Sequence, residues 1–441
     1  MNSEWNISTI GDIATNESRS FDFNNQNQVV FLNTGDVLEG EFLKNEYIQT
    51  KGLPGQAKKA IRQKDILFSE IRPINKRYAY VDFDVTDYVV STKFMVIQAG
   101  NLIIPEYLYL VITSNNILRE FQTIAESRSG TFPQITFNSI AHISIKLPPF
   151  SAQKKIVHIL SILDDKIKLN KKMNQTFEEI AQTLFKSWFV DFDPVHAKAN
   201  ASSDTDYGLI AKELGISREI LDLFPNEFEE SELGMIPKGW KVGSLGDSDF
   251  SEIIGSGINK FTNEKIYLAT ADVADTNIIN KETLITYENR ASRANMQPIN
   301  NSIWFAKMQN SRKLLMFDGN TDKTFSYILS TGFAGIRTTE LSHYFIWTFV
   351  LSNSFNNSKN NLANGAVQVA INNSNIGKIN YTKPANSILE IFNNITQDLF
   401  NKRQQNDFEI QTLKKTRDTL LPKLFSGELD VSELELDSVA H

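Results

Sequence analysis

The sequence predicts a mixed α+β protein: two duplicated mixed α/β domains held apart by two long antiparallel helices that form a coiled coil. Three observations carry this. The chain repeats itself once, each copy carries strand-like runs, and each copy closes in a heptad stretch. Trp5 followed by Gly11-Asp12 recurs as Trp240 followed by Gly246-Asp247, an offset of 235. Asp65-Ile-Leu-Phe-Ser69 recurs at Ser302-Ile-Trp-Phe-Ala306, offset 237, and Ser91-Thr92-x-Phe94-x-x-Ile97 recurs from Ser330, offset 239. Gly130, Gln134 and Asn138 match Gly365, Gln368 and Asn372, and Ile140, Ile143 and Pro148 match Ile376, Ile379 and Pro384. So long a period describes a duplicated domain rather than a stacked solenoid unit.

The first repeat, 1–150, contains strand-like runs at Ile66–Ile71, Tyr78–Phe83, Val89–Ile97 and His142–Leu147, each rich in β-branched or aromatic residues. Pro105 to Glu120 has the spacing of a helix, with Tyr107, Leu108, Val111 and Leu118 on one face. From 151 to 190 the pattern changes. Ser151 can cap a helix, no Gly or Pro intervenes before Pro194, and a seam runs through Ile156, Leu160, Leu163, Ile167, Asn170, Asn174, Phe177, Ala181, Leu184 and Trp188. A helix over 152–190 is roughly 58 Å long at 1.5 Å per residue. A connector follows at 191–235, with a helical stretch near Leu209–Phe224, and it reads as a link rather than a third core. The second repeat, 236–386, offers strands at Ile266–Ala271, Ser302–Met308, Leu314–Phe317 and Ser326–Ile336 and a helix near Ser342–Leu351. The second seam, within 387–426, runs Ile388, Phe392, Ile395, Leu399, Asn406, Ile410, Leu413, Leu420 and Leu424, and 427–441 is an acidic tail. Asn170 and Asn406 correspond at offset 236, and a buried Asn in a seam fixes register. The alternative is two unpaired amphipathic helices.

Net charge is −7, but its distribution matters more. Residues 191–235 carry 3 basic against 11 acidic groups, and 427–441 carry 5 acidic groups and no Lys or Arg. The second repeat has 15 basic against 11 acidic groups, and 151–190 has 7 against 4. The chain has no cysteine, so disulfides and thiolate metal sites are excluded and a reducing, cytoplasmic setting is expected. Met1-Asn-Ser-Glu-Trp5 lacks the features of a signal peptide, and the longest apolar run, Tyr344 to Leu351, is too short to span a membrane.

Enzyme signatures are missing. There is no P-loop and no His-Glu-x-x-His, and His142, His158, His196, His343 and His441 are scattered. Leu147-Pro-Pro-Phe150 resembles the tetrapeptide of amino-methyltransferases, but its first position needs an amide or carboxylate and holds leucine. Gly255-Ser-Gly257 lacks the third glycine of a dinucleotide loop. No catalytic residue, metal site or cofactor is expected in this chain.

Several strings resemble the specificity subunit of type I restriction-modification systems, over nearly the whole chain. They are Trp188-Phe-Val-Asp-Phe-Asp-Pro194-Val with Ala197-Lys198, Leu223-Phe-Pro225, Phe228, Ser231-Glu-Leu-Gly234-x-Ile236-Pro237-x-Gly239-Trp240, and Leu420-Leu-Pro-Lys-Leu-Phe-Ser-Gly427-Glu-Leu. The resemblance implies two target-recognition domains, each reading half of a bipartite double-stranded DNA sequence, separated by the long helices. It also implies docking of two methyltransferase subunits and of restriction/motor subunits, with S-adenosylmethionine and ATP bound on those partners. A specificity subunit of a related system that cuts outside its site, and a coiled-coil adaptor binding only protein, are the other readings.

Arg and Lys read guanine, Asn and Gln read adenine, and any donor can meet phosphate. In the first repeat the DNA-binding candidates are Lys58, Lys59, Arg62, Arg72, Asn75, Lys76, Arg77, Lys93, Arg128 (with Ser129) and Gln134. In the second they are Arg290, Arg293, Asn295, Lys307, Gln309, Asn310, Arg312, Lys313 and Gln368. Arg72 and Gln309 fall at equivalent positions, offset 237. Solvated hairpin loops are also charged, so these residues are candidates on position alone. Gln134 and Gln368, matched between copies, are either structural or a shared contact, and the Asn-rich stretch 353–375 either holds adenine readers or, as the favoured reading, reflects composition, since Asn is frequent across the chain.

Overall fold

The computed structural model describes residues 5–24, 26–128, 130–201, 203–246, 249–319, 324–363 and 369–433. The chain forms two compact units: Met1–Asn170 with Phe408–His441, and Lys171–Asp407.

In the first unit, Ala14–Glu17, Phe94–Ala99, Ile66–Ser69 and Tyr78–Tyr80 form a four-stranded antiparallel sheet in that spatial order. Ile66 to Ser69 are all buried, so this central strand is apolar on both faces rather than alternating. A second sheet runs Ile48–Gln49, Gln28–Leu32, Tyr88–Ser91, Ala57–Ala60, with Gln28–Leu32 parallel to Tyr88–Ser91. Strand Asn6–Thr9 pairs with Ser144–Leu147, just before the first long helix.

The second unit repeats this plan strand for strand. Ser251–Ile254, Phe333–Thr338, Ser302–Ala306 and Leu314–Phe317 form one sheet, and Leu284–Ile285, Lys265–Leu268, Tyr327–Ser330 and Ala294–Met296 the other. Lys265–Leu268 is again parallel to Tyr327–Ser330, and Lys241–Ser244 again pairs with Asn380–Lys383. Trp304 lies opposite Gly335, where a Cβ would stand 2.5 Å from the indole, so the glycine makes room for the ring.

Several elements differ from expectation. Val89–Ile97 is two strands, because Ser91 Oγ accepts from Lys93 N (3.2 Å) and turns the chain; Ser330 Oγ does the same with Gly332 N (3.2 Å) in the second copy. The helix expected over Pro105–Glu120 is two, Pro105–Ile112 and Asn115–Arg128, broken where Thr113-Ser114 offers local polar alternatives to the backbone ladder. The stretch near Leu209–Phe224 is likewise two helices, Asp204–Glu213 and Arg218–Leu223, the latter capped by Ser217 Oγ accepting from Ile220 N. The connector is more than a link: Val195 and Phe224 are buried in the second unit's core beside Trp188, Phe189 and Trp240. Lys198 Nζ ties its two ends, donating to the carbonyls of Asp222 (2.9 Å) and Phe224 (2.7 Å).

The long helices are Phe150–Phe189 and Asn386–Ser426. Within the first unit, Ile156 and Leu160 share a core with Leu420 and Leu424, Arg417 Nη1 meets Asp164 Oδ1 at 2.8 Å, and Asn170 Nδ2 donates to Glu409 Oε2 at 2.7 Å. Within the second, Asn406 Nδ2 donates to Asn174 Oδ1 (2.9 Å), Asn174 Nδ2 to Asp407 Oδ1 (2.8 Å), and Phe189 stacks edge-on against Phe392 at 4.9 Å. Numbers rise along one helix as they fall along the other, so the helices pack antiparallel in each unit. Ile167 is buried, while Leu163, Leu399 and Leu413 are half-buried. Phe400, on the second long helix, is buried against helix His343–Leu351, stacking on Tyr344 at 5.6 Å and meeting Trp347 at 6.3 Å.

Candidate nucleic-acid interface

The strand ends of the first unit meet in a ridge of four segments: Gln56, the Thr92-Lys93 turn, the loop from Glu70 to Arg77, and Pro133–Ile135. Backbone hydrogen bonds join them: Thr92 N to Gln56 O (2.9 Å), Glu70 N to Lys93 O (3.0 Å), Ile135 N to Glu70 O (2.8 Å) and Arg72 N to Pro133 O (3.1 Å). The second unit builds the same ridge from Arg293, Thr331-Gly332, Lys307–Lys313 and Val369–Ile371. Its bonds run from Thr331 N to Arg293 O (2.8 Å), Lys307 N to Gly332 O (2.9 Å), Ile371 N to Lys307 O (3.0 Å) and Gln309 N to Val369 O (2.9 Å). The backbone is copied; the side chains are not.

Arg72, Asn75, Lys58 and Arg128 are exposed on the first unit, with Arg128 Nη1 3.2 Å from Thr136 Oγ1. Arg72 and Lys76 have left-handed φ of 44° and 55°, which gives the loop a fixed and costly shape. Lys93 is half-buried in the turn, and Lys76 is paired with Glu39 at 2.6 Å. Arg62 lies beyond the opposite end of strand Ile66–Ser69, so the fold does not bring it to the ridge. On the second unit Gln309, Asn310 and Arg293 are exposed and Asn295 is half-buried. Arg290 lies over the Tyr287 ring at 3.9 Å and also donates to the Tyr287 carbonyl. Arg312 bonds Asp275 Oδ1 (2.8 Å) and Glu178 Oε1 (3.2 Å).

Two basic candidates occupy structural positions. Arg77 Nη1 donates to the carbonyls of Gly35 and Val37, both at 3.1 Å, and its counterpart Lys313 Nζ donates to Thr270 O at 2.6 Å. Each pins the short 3-10 turn of its own unit, Thr34–Asp36 or Thr270–Asp272. Lys59 Nζ donates to Phe94 O (2.6 Å), and burial lowers the pKa of both Lys59 and Lys307. Gln368 lies outside the described residues, as does Ser129. The matching of Gln134 with Gln368 is corrected by backbone pairing: Ile71 bridges Gln134 and Met308 bridges Ala370, so Ala370 is the counterpart of Gln134. The sequence match was thus displaced by two residues from the backbone register.

Sequence reading missed Gln56, the counterpart of Arg293, as well as Phe132, which is 63% exposed beside the ridge. It also missed Asn360, whose side chain pairs with Asn310. A repeat alignment at offset 237 would have found Gln56; nothing local marks the others. Among the described residues there is no group of three His, Asp or Glu placed to hold a metal. His343 is a core residue: its Nδ1 lies 2.7 Å from Thr338 Oγ1, and burial pushes its pKa down to about 4. No described helix is long and apolar enough to cross a membrane.

Comparisons with known proteins agree with this architecture. Residues 2–179 match the family described as Type I restriction modification DNA specificity domain. The chain is 37% identical over 468 residues to the Type I restriction enzyme HindI specificity subunit of Haemophilus influenzae, covering 97% of this chain and 100% of that protein. It is 29% identical to the MjaIX specificity subunit of Methanocaldococcus jannaschii, covering 84% of this chain and 78% of the relative. The crystal structure of a type I restriction-modification S subunit from M. genitalium shares the fold, with a TM-score of 0.51 and 12% identity over 96% of each chain. The chain therefore belongs to the specificity subunits of type I restriction-modification systems, whose part is recognition of DNA rather than catalysis.

Proposed function

We propose that each unit reads one half of an asymmetric, bipartite double-stranded DNA target through its ridge, while the two long helices hold the unread gap at a fixed length. The observation that carries this is the pair of ridges: the same four backbone hydrogen bonds present Arg72 and Asn75 in one copy and Gln309 and Asn310 in the other. An identical scaffold with different side chains suits two half-sites of different sequence, because Arg favours guanine while Asn and Gln favour adenine. Lys58, Lys93, Arg128 and Arg293 would contribute phosphate contacts that set register without reading sequence.

The same reading gives the chain two modification subunits and restriction/motor subunits as partners, in the cytoplasm. S-adenosylmethionine and ATP would bind on those partners, leaving this chain without a cofactor. Support for docking comes from the first long helix, which exposes Ile162 and Leu169 in the first unit and Met173 and Ile180 in the second. Spacings of seven, four and seven form a second apolar heptad stripe, separate from the seam.

The test is genome-wide mapping of methylated adenine by modification-sensitive sequencing, in a host carrying this chain and its modification subunit. A single two-part motif with a constant gap, lost on deletion of this chain, is the expected result. Methylation that persists unchanged after deletion would refute the proposal.

A further inference from the structure

The reading loops are held from behind by a short helix in each copy, Asn115–Arg128 in the first and Asn353–Asn361 in the second. In the first unit, Gln122 on helix Asn115–Arg128 accepts from Ile74 N through Oε1 at 3.3 Å. In the second, Lys359 on helix Asn353–Asn361 donates Nζ to Ser311 O at 2.5 Å. The two helices begin alike, Leu118 N bonding Ser114 O and Asn356 N bonding Ser352 O, an offset of 238 that makes Asn360 the counterpart of Gln122 and Lys359 that of Phe121. Gln122 and Asn360 thus hold their loops alike, each accepting from a loop N–H, and Lys359 adds to the second repeat a grip of the opposite polarity. Glutamine takes an N–H; lysine gives to a carbonyl.

The loop backbones differ in step with the grip. The first loop is left-handed at Arg72 and Lys76, whereas the second is left-handed at Asn310. Asn360, next to Lys359, adds to the second clamp: its Oδ1 accepts from Asn310 N and its Nδ2 donates to Asn310 Oδ1, both at 3.0 Å. Lys359 is 2% exposed, so its ammonium group is spent inside the protein and is not presented to a phosphate. A buried ammonium is expensive to keep, and a hydrogen bond to a loop carbonyl gives it a structural use.

We propose that Gln122 and Lys359 are positioning residues for target recognition, each setting the conformation of the reading loop in its own repeat and so the base preference of that half-site alone. The inference rests on the reading of these loops as the DNA-contacting segments. Base-edge readout requires donor and acceptor atoms within hydrogen-bond distance and angle, so a loop that rotates by a fraction of a residue loses discrimination without losing its phosphate contacts.

The experiment uses the full chain in complex with its modification subunits and a duplex library randomised across both half-sites. Bound duplexes are recovered and sequenced, and binding to an unrelated duplex at low salt is measured in parallel. Lys359→Met is expected to cut base discrimination about tenfold at one or two positions of one half-site, and Gln122→Met to do so in the other. Binding to the unrelated duplex stays unchanged, and Lys359→Arg retains the parent preference. If Lys359→Met does not fold by thermal melting, Lys359→Gln, which removes the charge but keeps a polar group, takes its place. Loss spread equally over both half-sites, loss of non-specific binding in parallel, or unchanged preference each overturns the proposal. Arg72→Ala and Gln309→Ala separate the two levels of the argument. If they alter their half-sites while the clamp variants do not, the positioning role fails and the loop reading stands; if none of the four has an effect, the loop reading itself fails and takes the clamp with it.

Discussion

Arg19 and Asp65 form a buried ion pair in the first unit, with Arg19 Nη2 at 2.8 and 2.7 Å from the two carboxylate oxygens. The Asp65 side chain is 2% exposed, and its Oδ2 also accepts from Arg62 N at 2.7 Å. Arg19→Met leaves that carboxylate buried with one backbone partner, and removing one member of a buried pair costs about 3–5 kcal/mol. At about 1.36 kcal/mol per decade this amounts to roughly two to four decades in local opening. The second repeat shows how to repair it. Its counterpart of Asp65 is Ser302, whose Oγ accepts from Ile299 N at 3.3 Å without any charge. The double variant Arg19→Met/Asp65→Ser keeps an acceptor for Arg62 N and removes both charges. It also relieves Nε and Nη1 of Arg19, which are buried without a hydrogen-bond partner. Hydrogen exchange monitored by mass spectrometry on peptides covering Ile66–Ser69 reads the outcome. The single variant should exchange at least a hundredfold faster than the parent, and the double variant within tenfold of it. A double variant as labile as the single one would refute the reasoning, because charge burial would then not be the cause.

Three further predictions follow from the site and the helices. Arg72→Ala is expected to relax one position of the first half-site by about 1–3 kcal/mol, whereas Lys58→Ala weakens all duplexes evenly and lowers the salt slope by about one, both read by titration at several salt concentrations. Burial pushes the Lys359 pKa down to about 8, below its ordinary value of 10.5. The folded state therefore binds this proton less readily than the unfolded chain, and stability of the second unit should rise as pH climbs from about 8 towards 10.5; urea midpoints across that window should show the rise in the parent and lose it in Lys359→Met. Matched seven-residue insertions in both long helices lengthen each by about 10 Å, equivalent to roughly three base pairs, and methylation mapping should show a changed gap with both half-sites intact. Altered half-site sequences would contradict the division of labour between units and helices.

Much of the fold was legible because its signals are local. Forty residues without Gly or Pro, carrying apolar groups at heptad spacing, leave few alternatives to the helix Phe150–Phe189. The repeat survived in the strings around Ser91 and Ser330 because both serines turn the chain in the same way. The sheet order was not legible, since the parallel pairing of Gln28–Leu32 with Tyr88–Ser91 joins segments more than fifty residues apart. The connector misled because its charges lie outside while a few apolar residues, Val195 and Phe224 among them, are buried. At the site, hairpin position alone could not separate Arg72, exposed on the ridge, from Arg77, whose guanidinium is held by carbonyls some forty residues earlier. The grip of Gln122 on Ile74 spans 48 residues, and no local pattern announces it.

The division of the chain has a consequence for its synthesis. The second unit is one continuous stretch, but the first is completed only by Phe408–His441. Leu424 and Val431 are made more than 260 residues after Leu160, yet they belong to the same core as Ile10, Ile156 and Leu160. Gly427, with φ of 75°, sits against the indole of Trp5, its ideal Cβ position 3.4 Å from the ring. At about 5–20 residues per second, the 237 residues from Lys171 to Asp407 take roughly 12 to 48 s to emerge from the ribosome. Throughout that interval the nascent first segment waits with an uncovered apolar face, and a chain cut short before Phe408 would carry one finished unit and one that cannot close.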